Sequence, residues 1–377
     1  MIFTILIFIL TLLILVVIHE LGHFLVAKKF GIKVEEFGFG IPPRAWGKKI
    51  GETLVSINWL PFGGFVRLLG EDEVDQKILE NKRSFAAQTV TKRILVVVAG
   101  VVMNLLLAWL IFYLVLALQG FKAQFPLLIN HQFLGVKQTN ESVVIIQKVT
   151  ALSPAEESGL KSGERVIALN SQEIKDSSDL IAKTKSLAGQ KVDITLSDPE
   201  KKALREVSVT PRQNPPAGQG PLGISLAQVE VANIEYVDPV QKLLAGPIHS
   251  VNLTIYSGKI LGLLVGKSFE THQIEPVSQT VSGPVGITQA VGTILAEKSP
   301  VLPYLNFVAI LSLNLAVMNV LPFPALDGGR LFFLVIEGIT RRRVHTGFEK
   351  WVHSIGMAIL LTLMVLITFS DIKKLFP

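Results

Sequence analysis

A chain of 377 residues is long enough for two or three soluble domains, but only 18% of its residues are charged, 49% are hydrophobic and its mean hydropathy is +0.49. Part of it therefore belongs in lipid. Thirty Gly without a repeat exclude a collagen-like chain, and the absence of Cys excludes disulfides and thiolate metal sites. The net charge of +6 would suit nucleic acid in a soluble protein. In a membrane protein basic residues mark cytoplasmic loops, so the charge is read as topology and no nucleic-acid partner is expected.

Four apolar stretches follow one another along the chain. The first, Ile2 to Ala27, meets its first ionisable residues at His19-Glu20 and is long enough to span a bilayer, which takes about 20 residues. A cleaved signal peptide is the alternative, but no basic segment precedes the run and no small-residue cleavage pattern follows it. The second, Ile94 to Leu118, starts beside Lys92-Arg93 and is broken only by Gly100 and Asn104. The third, Val301 to Leu326, carries Asn306, Asn314, Asn319 and several prolines, and the fourth runs from Ile355 to Phe369. The expected spans are residues 1–30, 93–119, 301–328 and 351–371.

Between the second and third stretches, β-type runs such as Ser142–Val149 and Lys191–Leu196 alternate with turn signals such as Ser153-Pro154. They predict a small α+β domain over 134–226. In 239–300 an apolar segment, Pro239–Gly266, is interrupted by Lys242, His249, Asn252 and Lys259. It either spans or lies on the surface as an amphipathic helix.

The motif His19-Glu20-Leu21-Gly22-His23 is H-E-x-x-H. Positions i and i+4 of a helix share one face, so both imidazoles can reach one metal with Glu20 beside them as a proton acceptor. Ionisable groups in an apolar helix cost several kcal/mol unless they have partners. A pair of histidines reaching for the headgroups is the plain alternative. A catalytic zinc site takes three protein ligands and leaves one position open. Asp327 is the best candidate for the third, because it ends an apolar stretch amid Pro322, Pro324, Gly328 and Gly329. Its plain alternative is a helix cap at the interface.

Basic residues set the topology. Twelve Lys and Arg lie between the first and second stretches, and seventeen in the much longer segment between the second and third. The 31–92 loop is therefore expected in the cytoplasm with the amino terminus outside. Asp327 meets His19 and His23 only if the third span also runs inward. Pro239–Gly266 is thus expected to stay on one side, as a surface or partly embedded helix.

These residues resemble the site-2 protease family of intramembrane zinc metalloproteases (peptidase family M50), specifically the bacterial branch with one PDZ domain between the second and third spans. The resemblance covers nearly the whole chain. It rests on His19-Glu20-Leu21-Gly22-His23, on Asn319-x-x-Pro322-x-x-x-Leu326-Asp327-Gly328, and on Ser282-Gly283-Pro284-Val285-Gly286-Ile287. It implies a polytopic α-helical membrane protein with four transmembrane helices, a membrane-associated β-hairpin within 31–92 and an inserted α+β PDZ domain.

It implies one Zn2+ per chain at His19, His23 and Asp327, with Glu20 catalytic. Asn314, Asn319, Gly63 and Gly64 would contact substrate, and Leu222-Gly223-Ile224 would form the PDZ peptide loop. The substrates would be single-span membrane proteins such as anti-sigma factors or remnant signal peptides. The location would be the bacterial inner membrane, with the PDZ domain outside and the active site near the cytoplasmic face. Two departures stand out: Glu164 where the PDZ signature usually has Asp, and Val101 where relatives tend to carry Pro after the Gly. A transporter would usually show internal repeats and more intramembrane charge, and a PDZ scaffold would not need the four ionisable groups together.

Overall fold

A computed structural model describes residues 2–71, 78, 81–198, 203–272 and 281–375. The chain forms two compact units, Met1–Val115 with Ala245–Pro377, and Leu116–Leu244.

The first unit opens with α1, Ile2–Lys29. Its apolar run sustains 28 residues of helix, and Lys28 and Lys29 close it, where cations suit the negative end of the helix dipole. A β-hairpin of β1 (Val34–Ile50) and β2 (Thr53–Leu68) follows. Glu36 faces both Arg67 and Leu54, and Phe39 faces both Gly64 and Ile57, so 36–39 lies between two segments of the returning chain. That leaves 64–68 on an edge. The distal part of β1, residues 41–50, is exposed throughout and carries Trp46, Arg44, Lys48 and Lys49.

Helix α2 (Val90–Leu118) runs beside α1, with Gly22 at the crossing: a Cβ there would stand 2.3 Å from the Ala99 carbonyl oxygen. Ala27, Ile32, Val34, Leu68, Phe85, Val96 and Val97 form one buried cluster, which ties the end of α1 to the roots of the hairpin and to α2. Each of these apart from Ala27 contributes about 1.5–3 kcal/mol on burial, so the hairpin is anchored where it leaves the helices.

Among the described residues, five helices have the length and composition to cross a membrane: α1, α2, Ala245–Thr271, Val301–Val320 and Gly347–Lys374. The sequence led us to expect four. The additional one falls within 239–300, which resolves into α5 (Pro239–Leu243, in the second unit), α6 (Ala245–Thr271) and α7 (Pro284–Ala296). The connection at 273–280 lies outside the described residues. Helix α6 packs on α2 through Gly246 at Trp109 and His249 against Phe112, and buries Ser250 and Asn252.

The expected span 301–328 is not one helix. Helix α8 runs over Val301–Val320, the chain turns through Leu321–Leu326, and α9 (Asp327–Thr340) begins at the aspartate. Pro322 and Pro324 cannot donate the helical hydrogen bonds that continuation would need. Helix α10, Thr346–Leu375, overruns the expected 351–371 at both ends.

Among the described residues, the second unit holds a seven-stranded sheet in the order β3-β9-β4-β5-β7-β8, with β6 beside β5. The strands are β3 (Lys122–Leu127), β4 (Lys137–Val149), β5 (Arg165–Leu169), β6 (Gln172–Glu173), β7 (Val192–Asp198), β8 (Ala203–Val209) and β9 (Ile224–Glu235). Helices α3 (Pro154–Glu157) and α4 (Ser177–Ser186) are capped by Ser153 and Asp176. Val144, Ile146, Leu169, Leu180, Ile194 and Leu196 are among its core residues. The sheet extends past 134–226 at both ends, because β9 continues to Glu235 between β4 and β3.

Candidate metal centre

His19 and His23 lie one turn apart on α1 and turn the same ring atom toward one point. His19 Nε2 is 3.2 Å from His23 Nε2, and the Asp327 Oδ2 atom is 2.8 Å from the first and 3.2 Å from the second. Among the described residues this is the one cluster of three His, Asp or Glu with the geometry to hold a metal. Ligands about 2.0–2.1 Å from a tetrahedral ion stand about 3.3 Å from each other. The three edges found here come close to that triangle.

The surroundings fit the same reading. His23 Nδ1 donates to the Val96 carbonyl at 2.8 Å, which leaves Nε2 with a lone pair for a metal. Asn104, fully buried on α2, places its Nδ2 3.4 Å from His19 Nδ1, while its Oδ1 has no hydrogen bond. A histidine that offers Nε2 to a metal carries its hydrogen on Nδ1, so an amide turned end for end both accepts that hydrogen and satisfies the buried oxygen. Gly100 closes the cradle: a Cβ there would lie 2.4 Å from His23 Nε2 and 2.8 Å from His19 Cε1. The absence of a side chain at Gly100 is what leaves room for the converging imidazoles.

Glu20, between the two histidines in sequence, lines a cavity of about 290 Å³ with His23, Asp327, Glu71, Arg330 and the strand residues Phe65–Leu68. A Cβ on Gly64 would lie 3.6 Å from Glu20 Cγ, so the edge of β2 passes directly beside the carboxylate. Arg330, one turn after Asp327 on α9, is ion-paired with Glu71. Both residues also line a larger cavity of about 980 Å³, which holds Arg93, Glu337, Arg343, Lys350 and His353.

Of the residues singled out in the sequence, His19, Glu20, His23, Asp327 and Gly64 come together here. Asn314 is exposed and Asn319 half-buried on α8, and neither lines these two cavities. Leu222, Gly223 and Ile224 belong to the second unit, where the Leu222 side chain is in the core, 3% exposed. Gly100 and Asn104 interrupt an apolar stretch, which was a signal of something special without saying what. Glu71, Arg330 and His353 carried no such signal.

The model of peptidase family M50 matches residues 7–363. The chain is 34% identical to a provisionally named zinc metalloprotease of Clostridium perfringens, over 96% of each chain. It is 28% identical to the zinc metalloprotease RasP of Geobacillus kaustophilus, and 27% identical to the regulator of sigma-W protease RasP of Bacillus subtilis, in both cases over 96% of each chain.

Proposed function

The chain belongs to peptidase family M50 and is a zinc metalloprotease with several membrane-spanning helices, and from that premise we propose that His19, His23 and Asp327 hold the zinc and that Glu20 is the catalytic acid–base. The observation that carries this is the convergence of His19 Nε2, His23 Nε2 and Asp327 Oδ2 within 3.2 Å of one another, with Glu20 on the same helix. Zinc, when bound, supplies Lewis-acid chemistry that polarises a carbonyl and makes water acidic near neutral pH. Glu20 accepts the proton of the attacking water and passes it to the leaving amine. The Val96 carbonyl and Asn104 orient the two imidazoles.

The substrate is a transmembrane segment of a single-span protein. A helix hides its carbonyls in its own hydrogen bonds, so it must unwind before it is cut, and the freed groups need partners in a water-poor place. The edge of β2 from Gly63 and Gly64 onward offers them by strand addition, since Phe65–Leu68 line the same cavity as Glu20. Asn314 and Asn319 add side-chain amides on α8. The exposed Trp46 and Trp59, with Arg44, Lys48 and Lys49, suit a hairpin tip seated at the membrane interface. The name of the Bacillus subtilis relative favours anti-sigma factors as one substrate class, and remnant signal peptides share the single-span form.

The active site faces the cytoplasmic side of a bacterial inner membrane, and four helices cross it. Helix α6 does not count among them: with Asp327 beside His19, a crossing by α6 demands a return before α8, and among the described residues between the two the 13 of α7 fall short of the roughly 20 that a crossing takes. The second unit is a PDZ domain outside the membrane that screens substrates by size. In support, Ile224–Val229 pairs with β4 on one side, while β3 covers only Glu230–Glu235 on the other. That leaves a strand edge beginning at Leu222-Gly223-Ile224 for an extended peptide.

Replacing Glu20 with Gln should abolish cleavage of a single-span reporter while zinc stays bound. Cutting at the wild-type rate would refute the mechanism. Removing Gly135–Pro211 should speed the cutting of an untrimmed substrate, and unchanged selectivity would remove the filter.

A further inference from the structure

We infer that His353, on α10, is a positioning residue for Asp327. The inference rests on the reading of Asp327 as a metal ligand and adds the group that holds it in place.

Asp327 is the first residue of α9 and hangs from the turn Leu321–Leu326, which belongs to neither helix. Pro322 and Pro324 offer no N–H, so within the turn only Phe323 N–H to the Leu321 carbonyl and Leu326 N–H to the Phe323 carbonyl are made, and the Ala325 N–H is left for a partner outside it. Two residues before the ligand, Ala325 has φ of +77°, a region that L residues with a Cβ seldom adopt and that needs support from its surroundings. The support comes from α10: the Ala325 backbone N–H donates to His353 Nδ1 at 2.8 Å. One turn further along the same helix, Gly356 meets the neighbouring residue so closely that a Cβ would stand 2.4 Å from Pro324 Cβ and 2.6 Å from its carbonyl oxygen. His353 and Gly356 thus grip successive residues of the turn that presents Asp327.

Accepting at Nδ1 puts the ring hydrogen on Nε2, which lies 4.0 Å from Glu349 Oε1. The ring also packs near Phe333, with centroids 6.0 Å apart. An apolar side chain of similar size would keep that packing and lose the acceptor. Asp327 Oδ2 sits 2.8 and 3.2 Å from the two imidazole nitrogens, so a turn released at Ala325 carries the third ligand out of a triangle with little slack.

The test is zinc affinity of the full-length protein in detergent, by competition with a chromophoric chelator, for wild type, His353→Leu, His353→Asn and Asp327→Asn. Loss of a partner that orients a ligand weakens metal binding by roughly 10–100-fold, which is the expectation for His353→Leu. In His353→Asn the Oδ1 atom can accept from Ala325 in place of Nδ1, so zinc affinity and the visible bands of the cobalt-substituted form should stay near wild type. A merely structural histidine would show no such rescue. Wild-type affinity in His353→Leu, or asparagine as damaging as leucine, would overturn the inference. If the leucine variant does not accumulate folded, the asparagine variant decides alone, and a tenfold loss in it refutes the assignment. Asp327→Asn with wild-type affinity would remove the premise, and the inference with it.

Discussion

Gly100→Ala adds one methyl group at the tightest point of the proposed metal centre. The new Cβ would stand 2.4 Å from His23 Nε2, 2.7 Å from His23 Cε1 and 2.8 Å from His19 Cε1. Non-bonded heavy atoms settle at about 3.5 Å, so one or both rings must retreat by roughly 1 Å. Moving α2 away instead offers no relief, because it carries Val96 and Asn104, which orient His23 and His19. A misplacement of about 1 Å at a reacting centre costs on the order of 100-fold in rate, or about 2.7 kcal/mol. Zinc affinity should fall by roughly 10–100-fold as well. The assays are chelator competition and cleavage of a single-span reporter, with Gly292→Ala as control, where the nearest atom to the new Cβ is Thr4 Cγ2 at 3.5 Å. A Gly100→Ala protein that binds zinc and cuts like wild type would refute the argument that this backbone position shapes the site.

Asn104→Ala should weaken zinc binding by about tenfold without unfolding the protein, as chelator competition can check. Glu337 pairs with Arg93, which is 8% exposed, so Glu337→Ala strands a buried guanidinium; the melting transition should show a loss of about 3–5 kcal/mol. On the hairpin, Glu52 accepts hydrogen bonds from Arg83 and Lys28, which hold its pKa down at about 2 against an ordinary 4.5. The favourable contribution is complete above 4.5 and is lost as pH falls toward 2. Glu52→Gln should therefore lower hairpin stability near neutrality, where the contribution is complete, and flatten its pH dependence between 4.5 and 2, as hydrogen exchange of 34–68 would show.

The H-E-x-x-H motif could be read without the fold because it is local: an apolar helix sets the azimuth of residues four apart, whatever packs around it. The same holds for α2 but not for the turn after α8, which falls inside the expected span 301–328. The apolar run to Leu326 looks continuous as composition, yet the helix stops at Val320, since hydropathy reports solvent preference and not hydrogen bonding. Helix α6 shows the opposite case: its 27 residues form one helix despite scattered polar side chains, because His249, Ser250 and Asn252 are buried rather than exposed to water.

Composition and local pattern by themselves determined a membrane protein with two imidazoles and a carboxylate on one helical face, because hydropathy and helical period are properties of neighbouring residues. They also named Asp327, 304 residues beyond His23, as a plausible third ligand. Packing alone decided that Gly100 leaves the cavity in which the imidazoles meet, that Asn104 faces His19, that the edge of β2 lies against Glu20 and that His353 holds the turn before Asp327. Each of these is a contact between elements far apart in the chain. Its partners are chosen by how helices and strands fit in three dimensions, and no local period encodes that choice.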